Sequence, residues 1–145
     1  MGATIHVIAT TLDGTREALR AAIPLANGSR AALVVLVPQI VPYAMEIDAP
    51  IASTACLVAR YEQIIEAFGG SARIEPCHCR TLNDIGAKIE LAGSTIVIGG
   101  PVGRWITSPE ERFADRLTRL GYRVIFAAAG RNTTQRRVPL VAHHA

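Results

Sequence analysis

The sequence predicts an α/β protein: a doubly wound parallel sheet with helices on both faces. Three observations predict it. Short β-branched apolar runs alternate with longer stretches of helical periodicity, and that alternation implies right-handed crossover units. The 145 residues suit one domain with one sizeable core. Half of them are apolar, yet no apolar run approaches the roughly 18–20 residues that span a bilayer.

The elements follow in chain order. TIHVIAT, residues 4–10, is apolar and β-branched, as a strand buried on both faces should be. In LDGTREALRAAIPLANG, Leu19, Ala22, Ile23 and Ala26 share one helical face, and Asn27-Gly28 is the expected stop. AALVVLV, residues 31–37, is a second strand. The stretch 38–50 carries three prolines around Tyr43, Met45 and Ile47, an apolar loop expected to cover its own sheet end. Residues 54–68 form a second helix, with Leu57, Tyr61, Ile64, Ile65 and Phe68 at helical spacing and Gly69-Gly70 as its stop. ARIEPCHC, residues 72–79, alternates as a third strand would. Residues 82–92 predict a short helix with Leu82, Ile85, Ile89 and Ala92 inward. Residues 95–98 are a fourth strand. Residues 108–120 are a helix with Phe113, Leu117 and Leu120 on one side. Residues 122–128 are a fifth strand. The expected domain is 1–129. The basic tail 130–145 holds RVPLVA, which can add a strand to a sheet edge or hang free.

Composition excludes some functions. Basic residues exceed acidic ones by three, and Lys88 is the sole lysine among fifteen cations. The excess is small and scattered, and no aromatic lies in a stacking pattern among basic residues, so a nucleic-acid partner is not expected. Residues 1–10 have neither a basic start nor a cleavage-type end, which predicts the cytoplasm and no membrane association. Cys56, Cys77 and Cys79 are expected as thiols. On a strand, Cys77 and Cys79 share one face and His78 takes the other, so the three do not converge on an ion. That favours core cysteines over a metal site. No G-x-S-x-G is present, and His6, His78, His143 and His144 lack an evident acid partner, so no catalytic residue is assigned.

In a doubly wound sheet, ligands lie beyond the carboxyl ends of the strands, where strand order reverses. The loops there carry neither GxxxxGK[ST] nor GxGxxG. Asp13-Gly14-Thr15 after the first strand resembles the Asp-Gly-Ser of the universal stress protein family. AALVVLVPQIVP resembles that family's second strand running into a Pro-containing loop. AGSTIVIGG resembles its fourth-strand segment, and YRVIFAA its closing strand. The resemblance spans residues 4–128. It implies strand order 3-2-1-4-5, an adenine-nucleotide-binding type of fold, usually a homodimer, and in many members ATP. The ATP-binding members carry Gly, two residues, Gly, nine residues, then Gly and Ser or Thr. Here Gly100-Pro101-Val102-Gly103 supplies the first half, but nine further residues reach Phe113-Ala114, and the second half is missing.

The candidate nucleotide-contacting residues are Thr11, Asp13, Val37, Gly99, Gly100, Gly103, Arg104, Thr107 and Ser108. Each has a plainer structural role. Asp13 can cap a helix or shape a turn. The glycines can let backbone approach a ligand or only permit a tight bend. Ser108 is a good N-cap, Pro109 fits the first helical position and Glu111 completes a capping box. Glu110 and Glu111 would meet a phosphate as like charges unless Arg104 and Arg112 offset them. The sequence thus points to a regulatory or binding module rather than an enzyme. It would bind ATP or AMP weakly, if any cofactor, at the ends of strands one and four. One rival is a nucleotide-free dimeric interaction protein whose pocket is closed by Arg104, Trp105 and Ile106. Another is a nucleotide hydrolase or transferase.

Overall fold

A computed structural model describes residues 3–40, 54–89, 94–103, 105–128 and 135–137. Five parallel strands form the body of one sheet: β1 Thr4–Ile8, β2 Ala32–Ile40, β3 Arg73–Cys79, β4 Ser94–Gly100 and β5 Arg123–Ala128. Their order is β3-β2-β1-β4-β5, and a short β6, Gln135–Arg137, runs antiparallel along β5. The strand order reverses between β1 and β4, which are directly paired from Thr4↔Ser94 to Ile8↔Ile98.

Strand alternation sends two apolar sets to opposite faces. On one face Ile5, Val7, Val35, Val37 and Val97 pack under the helices α1 (Leu12–Ser29) and α2 (Thr54–Ala67), which contribute Leu19, Ile23, Tyr61 and Ile65. On the other, Ile8, Leu36, Ile96, Ile98 and Phe126 pack under α3 (Pro109–Arg119) and a 3-10 segment, Leu82–Lys88. Cys77 and Cys79 are buried in this second core, whereas His78 is only half-buried.

Several boundaries differ from the sequence reading. Helix α1 runs through Gly28 and ends at Arg30, whose φ of 57° supplies the left-handed turn expected of a glycine. Strand β2 continues through Pro38 to Ile40. Leu36 O accepts from Ala9 N, and Pro38, two residues on, faces the same side beyond the end of β1. Its missing N–H therefore breaks no ladder. The rest of the proline-rich stretch, 41–50, lies outside the described residues.

Where a short α-helix over 82–92 was expected, residues 82–88 form a 3-10 segment. The 3-10 segment stops at Lys88, and 90–93 lie outside the described residues. Leu120 was expected inward but is 58% exposed, because α3 ends at Arg119 and the chain turns away at Gly121. Of the tail, residues 135–137 are described, and 130–134 and 138–145 are not.

Candidate functional site

The carboxyl ends of β1 and β4 are fastened together by small residues. A Cβ at Gly99 would lie 1.9 Å from Gly14 O, and one at Gly14 would lie 2.4 Å from Gly99 O. The first turn of α1 thus presses backbone to backbone against the end of β4. Thr10 closes the same joint, donating its hydroxyl to Gly99 O at 2.6 Å. Thr11 is the N-cap of α1 and accepts from Gly14 N at 3.0 Å. Thr15 donates to Thr11 O and accepts from Thr10 N. Asp13 points outward: its side chain is 81% exposed and lies 3.5 Å from Arg16.

The glycine-rich bend is explained by contacts within the chain. Gly99 and Gly100 belong to β4 itself rather than to a loop. A Cβ at Gly100 would lie 2.7 Å from Glu110 Cγ, and one at Gly103 would lie 1.6 Å from Ile106 O. The Ser108–Glu111 capping box forms: Glu111 N donates to Ser108 Oγ at 3.1 Å and Ser108 N donates to Glu111 Oε1 at 2.9 Å. The same carboxylate oxygen also accepts from Gly103 N at 3.0 Å. Arg112 donates to Thr107 O at 2.6 Å. Thr107 is exposed and Ser108 buried, and Arg104 lies outside the described residues.

A cleft of about 190 Å³ opens beside this joint, lined by Ala9, Thr10, Leu12, Val37, Pro38, Leu57, Arg60 and Tyr61. It lies at the carboxyl ends of β1 and β2, under the first half of α2. Its lining is mostly apolar, and Thr10, Arg60 and Tyr61 are its residues with polar side-chain groups. Trp105 and Ile106, at 93% and 76% exposure, point into solvent and do not close the cleft.

The structure therefore brings together Thr11, Asp13, Gly99, Gly100 and Gly103 around the β1–β4 joint, and puts Val37 in the cleft wall. Sequence reasoning missed Arg60 and assigned Leu57 and Tyr61 only to a core face. Their helical spacing gives the inward side of α2, but nothing local shows that this side overhangs two strand ends.

Among solved structures, the chain superposes on a universal stress protein from Archaeoglobus fulgidus with a TM-score of 0.67 and 18% identity, over 87% of this chain and 93% of that one. It also superposes on a universal stress protein solved in complex with cAMP, with a TM-score of 0.63 and 14% identity, over 89% and 98%. No protein-family model matches the chain, and no curated protein matches it. At these identities the likeness is one of fold: the chain has the universal stress protein fold, a parallel sheet in the order 3-2-1-4-5.

Proposed function

We propose that this protein is a universal-stress-like regulatory module that binds an adenine-containing ligand in the cleft between β1, β2 and α2. The observation that carries the reading is the open cleft at the carboxyl ends of the strands, beside the reversal of strand order. Its apolar wall suits a base, and Thr10 and Arg60 supply polar contacts. A structural neighbour solved in complex with cAMP supports the reading. AMP and ATP are the nucleotides implied by the family resemblance. The cleft volume of about 190 Å³ is below the roughly 300–1,000 Å³ usual for sites that enclose a whole drug-sized molecule, so binding is expected to be weak.

The test is a thermal shift and calorimetric titration with adenosine, AMP and ATP up to millimolar concentration. Ligand bound only by the native state raises the melting temperature with concentration. The rise should shrink when Arg60 is replaced by Ala. No shift with any of the three rejects the proposal. The homodimer implied by the resemblance and a cytoplasmic location complete the reading, and a single-chain mass by light scattering counts against the dimer. Among the described residues no helix is long and apolar enough to cross a membrane.

A further inference from the structure

We infer that the cleft takes its adenine ligand as an anion, a nucleoside monophosphate rather than an uncharged nucleoside, and that Arg60 holds the phosphate at the mouth. The inference rests on the cleft reading above and adds the charge and the direction of the ligand. Ala9, Val37 and Tyr61 are buried and lie at the inner end of the cleft. Arg60 lines the same cleft but is exposed, so it stands where the cleft meets solvent. A long basic side chain in that position lays its stem on apolar surface and keeps its guanidinium in water. The cleft is thus apolar within and cationic at its opening, which suits a flat ring that carries an anionic group on its outer side.

The other polar residues of the lining are poorer partners for an anion. Thr10 has one hydroxyl proton, and it is donated to Gly99 O at 2.6 Å. The backbone N–H of Thr10 is donated to Thr15 Oγ1 at 2.9 Å. What Thr10 offers a ligand is therefore an acceptor lone pair, which fits a ribose hydroxyl or the amino group of adenine and opposes a phosphate oxygen. Tyr61 is uncharged and buried. Arg60 only donates, carries a permanent charge, and presents its N–H groups in a planar fork that matches phosphate oxygens. Its helix sets no carboxylate beside it: the positions three and four residues away hold Cys56, Leu57, Gln63 and Ile64. No residue lining the cleft is acidic. Asp13, which follows Leu12 of the lining, lies 3.5 Å from Arg16.

The test is calorimetric titration of adenosine and AMP against the full chain and its R60Q and R60K variants, at low ionic strength. Arg60 is exposed on a helix, and glutamine and lysine are good helix formers, so the fold is retained. Equal melting temperatures of the unliganded proteins check this. The unmodified chain should bind AMP about three- to tenfold more tightly than adenosine, as a charge-assisted pair facing solvent allows. R60Q should change adenosine binding little and bring AMP level with it. R60K keeps the charge without the fork and should retain an intermediate preference. Added salt should narrow the gap between the two ligands in the unmodified chain and leave R60Q unaffected. Adenosine binding as tightly as AMP to the unmodified chain overturns the inference and leaves the cleft reading standing. A preference for AMP that survives in R60Q also overturns it, because the phosphate is then held elsewhere. Failure of both ligands to bind the unmodified chain overturns the cleft reading, and this inference with it.

Discussion

At Gly99 the constraint is backbone against backbone. An added methyl would lie 1.9 Å from Gly14 O and 3.1 Å from Ala18 N, and neither atom belongs to a side chain that could rotate away. Gly99→Ala should therefore force α1 off the sheet and lower stability by about 1–3 kcal/mol or more. Gly28 is the opposite case. It lies within α1, and a Cβ there would meet nothing within 4 Å. Gly28→Ala should raise stability by roughly 0.4–1 kcal/mol, by narrowing the unfolded ensemble and improving helix propensity. Thermal unfolding of the two variants should give shifts of opposite sign. The sequence made the two glycines look alike, as a helix stop and part of a loop. A glycine is read locally as freedom to turn, and its contact with a residue far away in the chain leaves no local trace. Arg30 shows the complement: a long charged side chain at φ 57° ends the helix, and no local rule places it there ahead of Gly28. Glu111 was legible as a capping residue because a capping box is a spacing rule. Its second bond, to Gly103 N, was not, because it depends on how the bend folds back.

The elements form where periodicity and end signals agree, and they deviate where tertiary partners intervene. Helix α3 shows agreement: Ser108, Pro109 and Glu111 fix its start in sequence and in space. The 3-10 segment shows deviation. Of the residues expected inward, Ile85 and Ile89 are buried as their spacing predicts, whereas Leu82, at the start of the segment, is 39% exposed, and Ala92 lies outside the described residues. Tyr122, however, donates its hydroxyl to both Gly86 O and Ile89 O, taking carbonyls that an α-helical continuation would use. Gly86 lies against Leu117 of α3, where an added Cβ would be 3.4 Å from its side chain. The segment is thus held by Tyr122, in the turn before β5, and by α3 rather than by its own propensity. Tyr122→Phe should leave two partly buried carbonyls without this donor and lower stability by about 1–2 kcal/mol. Hydrogen exchange in residues 82–89 should accelerate more than exchange in β1 and β4. Uniform acceleration across the sheet would show that the hydroxyl does not hold this segment specifically. Helix α2 carries a different lesson. Its apolar spacing predicted the buried face, but the cleft arises only because that face overhangs β1 and β2, and overhang is a property of two elements together.

For the whole molecule, the order β3-β2-β1-β4-β5 is the one that the family resemblance implied, and it is compatible with right-handed crossovers between alternating elements. It places the Asp13 turn and the glycine-rich bend at one rim, the proposition on which every site residue depended. The same sheet buries a group that couples folding to pH. His6 lies in β1, paired with Val34 of β2 and Ile96 of β4. Its Nδ1 is buried and finds no hydrogen-bond partner among the described residues. Burial chiefly lowers its pKa below the ordinary 6.5; Glu75 on β3 opposes this and Arg73 adds to it. The native state therefore favours the neutral ring. Above pH 6.5 both folded and unfolded chains carry it neutral, and His6 contributes no pH dependence. As pH falls below 6.5, the unfolded chain takes up the proton first, so stability declines until the native state also protonates. The slope from one such group is at most about 1.4 kcal/mol per pH unit. Carboxylates titrate nearby in pH, so the contribution of His6 is isolated by comparison with His6→Val, which puts a strand-favouring apolar residue between Val34 and Ile96. Urea unfolding from pH 7.5 to 5 should show the parent losing stability faster than the variant, with the gap widening below pH 6.5. Parallel curves would mean that the ring reaches solvent and titrates as it does in the unfolded chain.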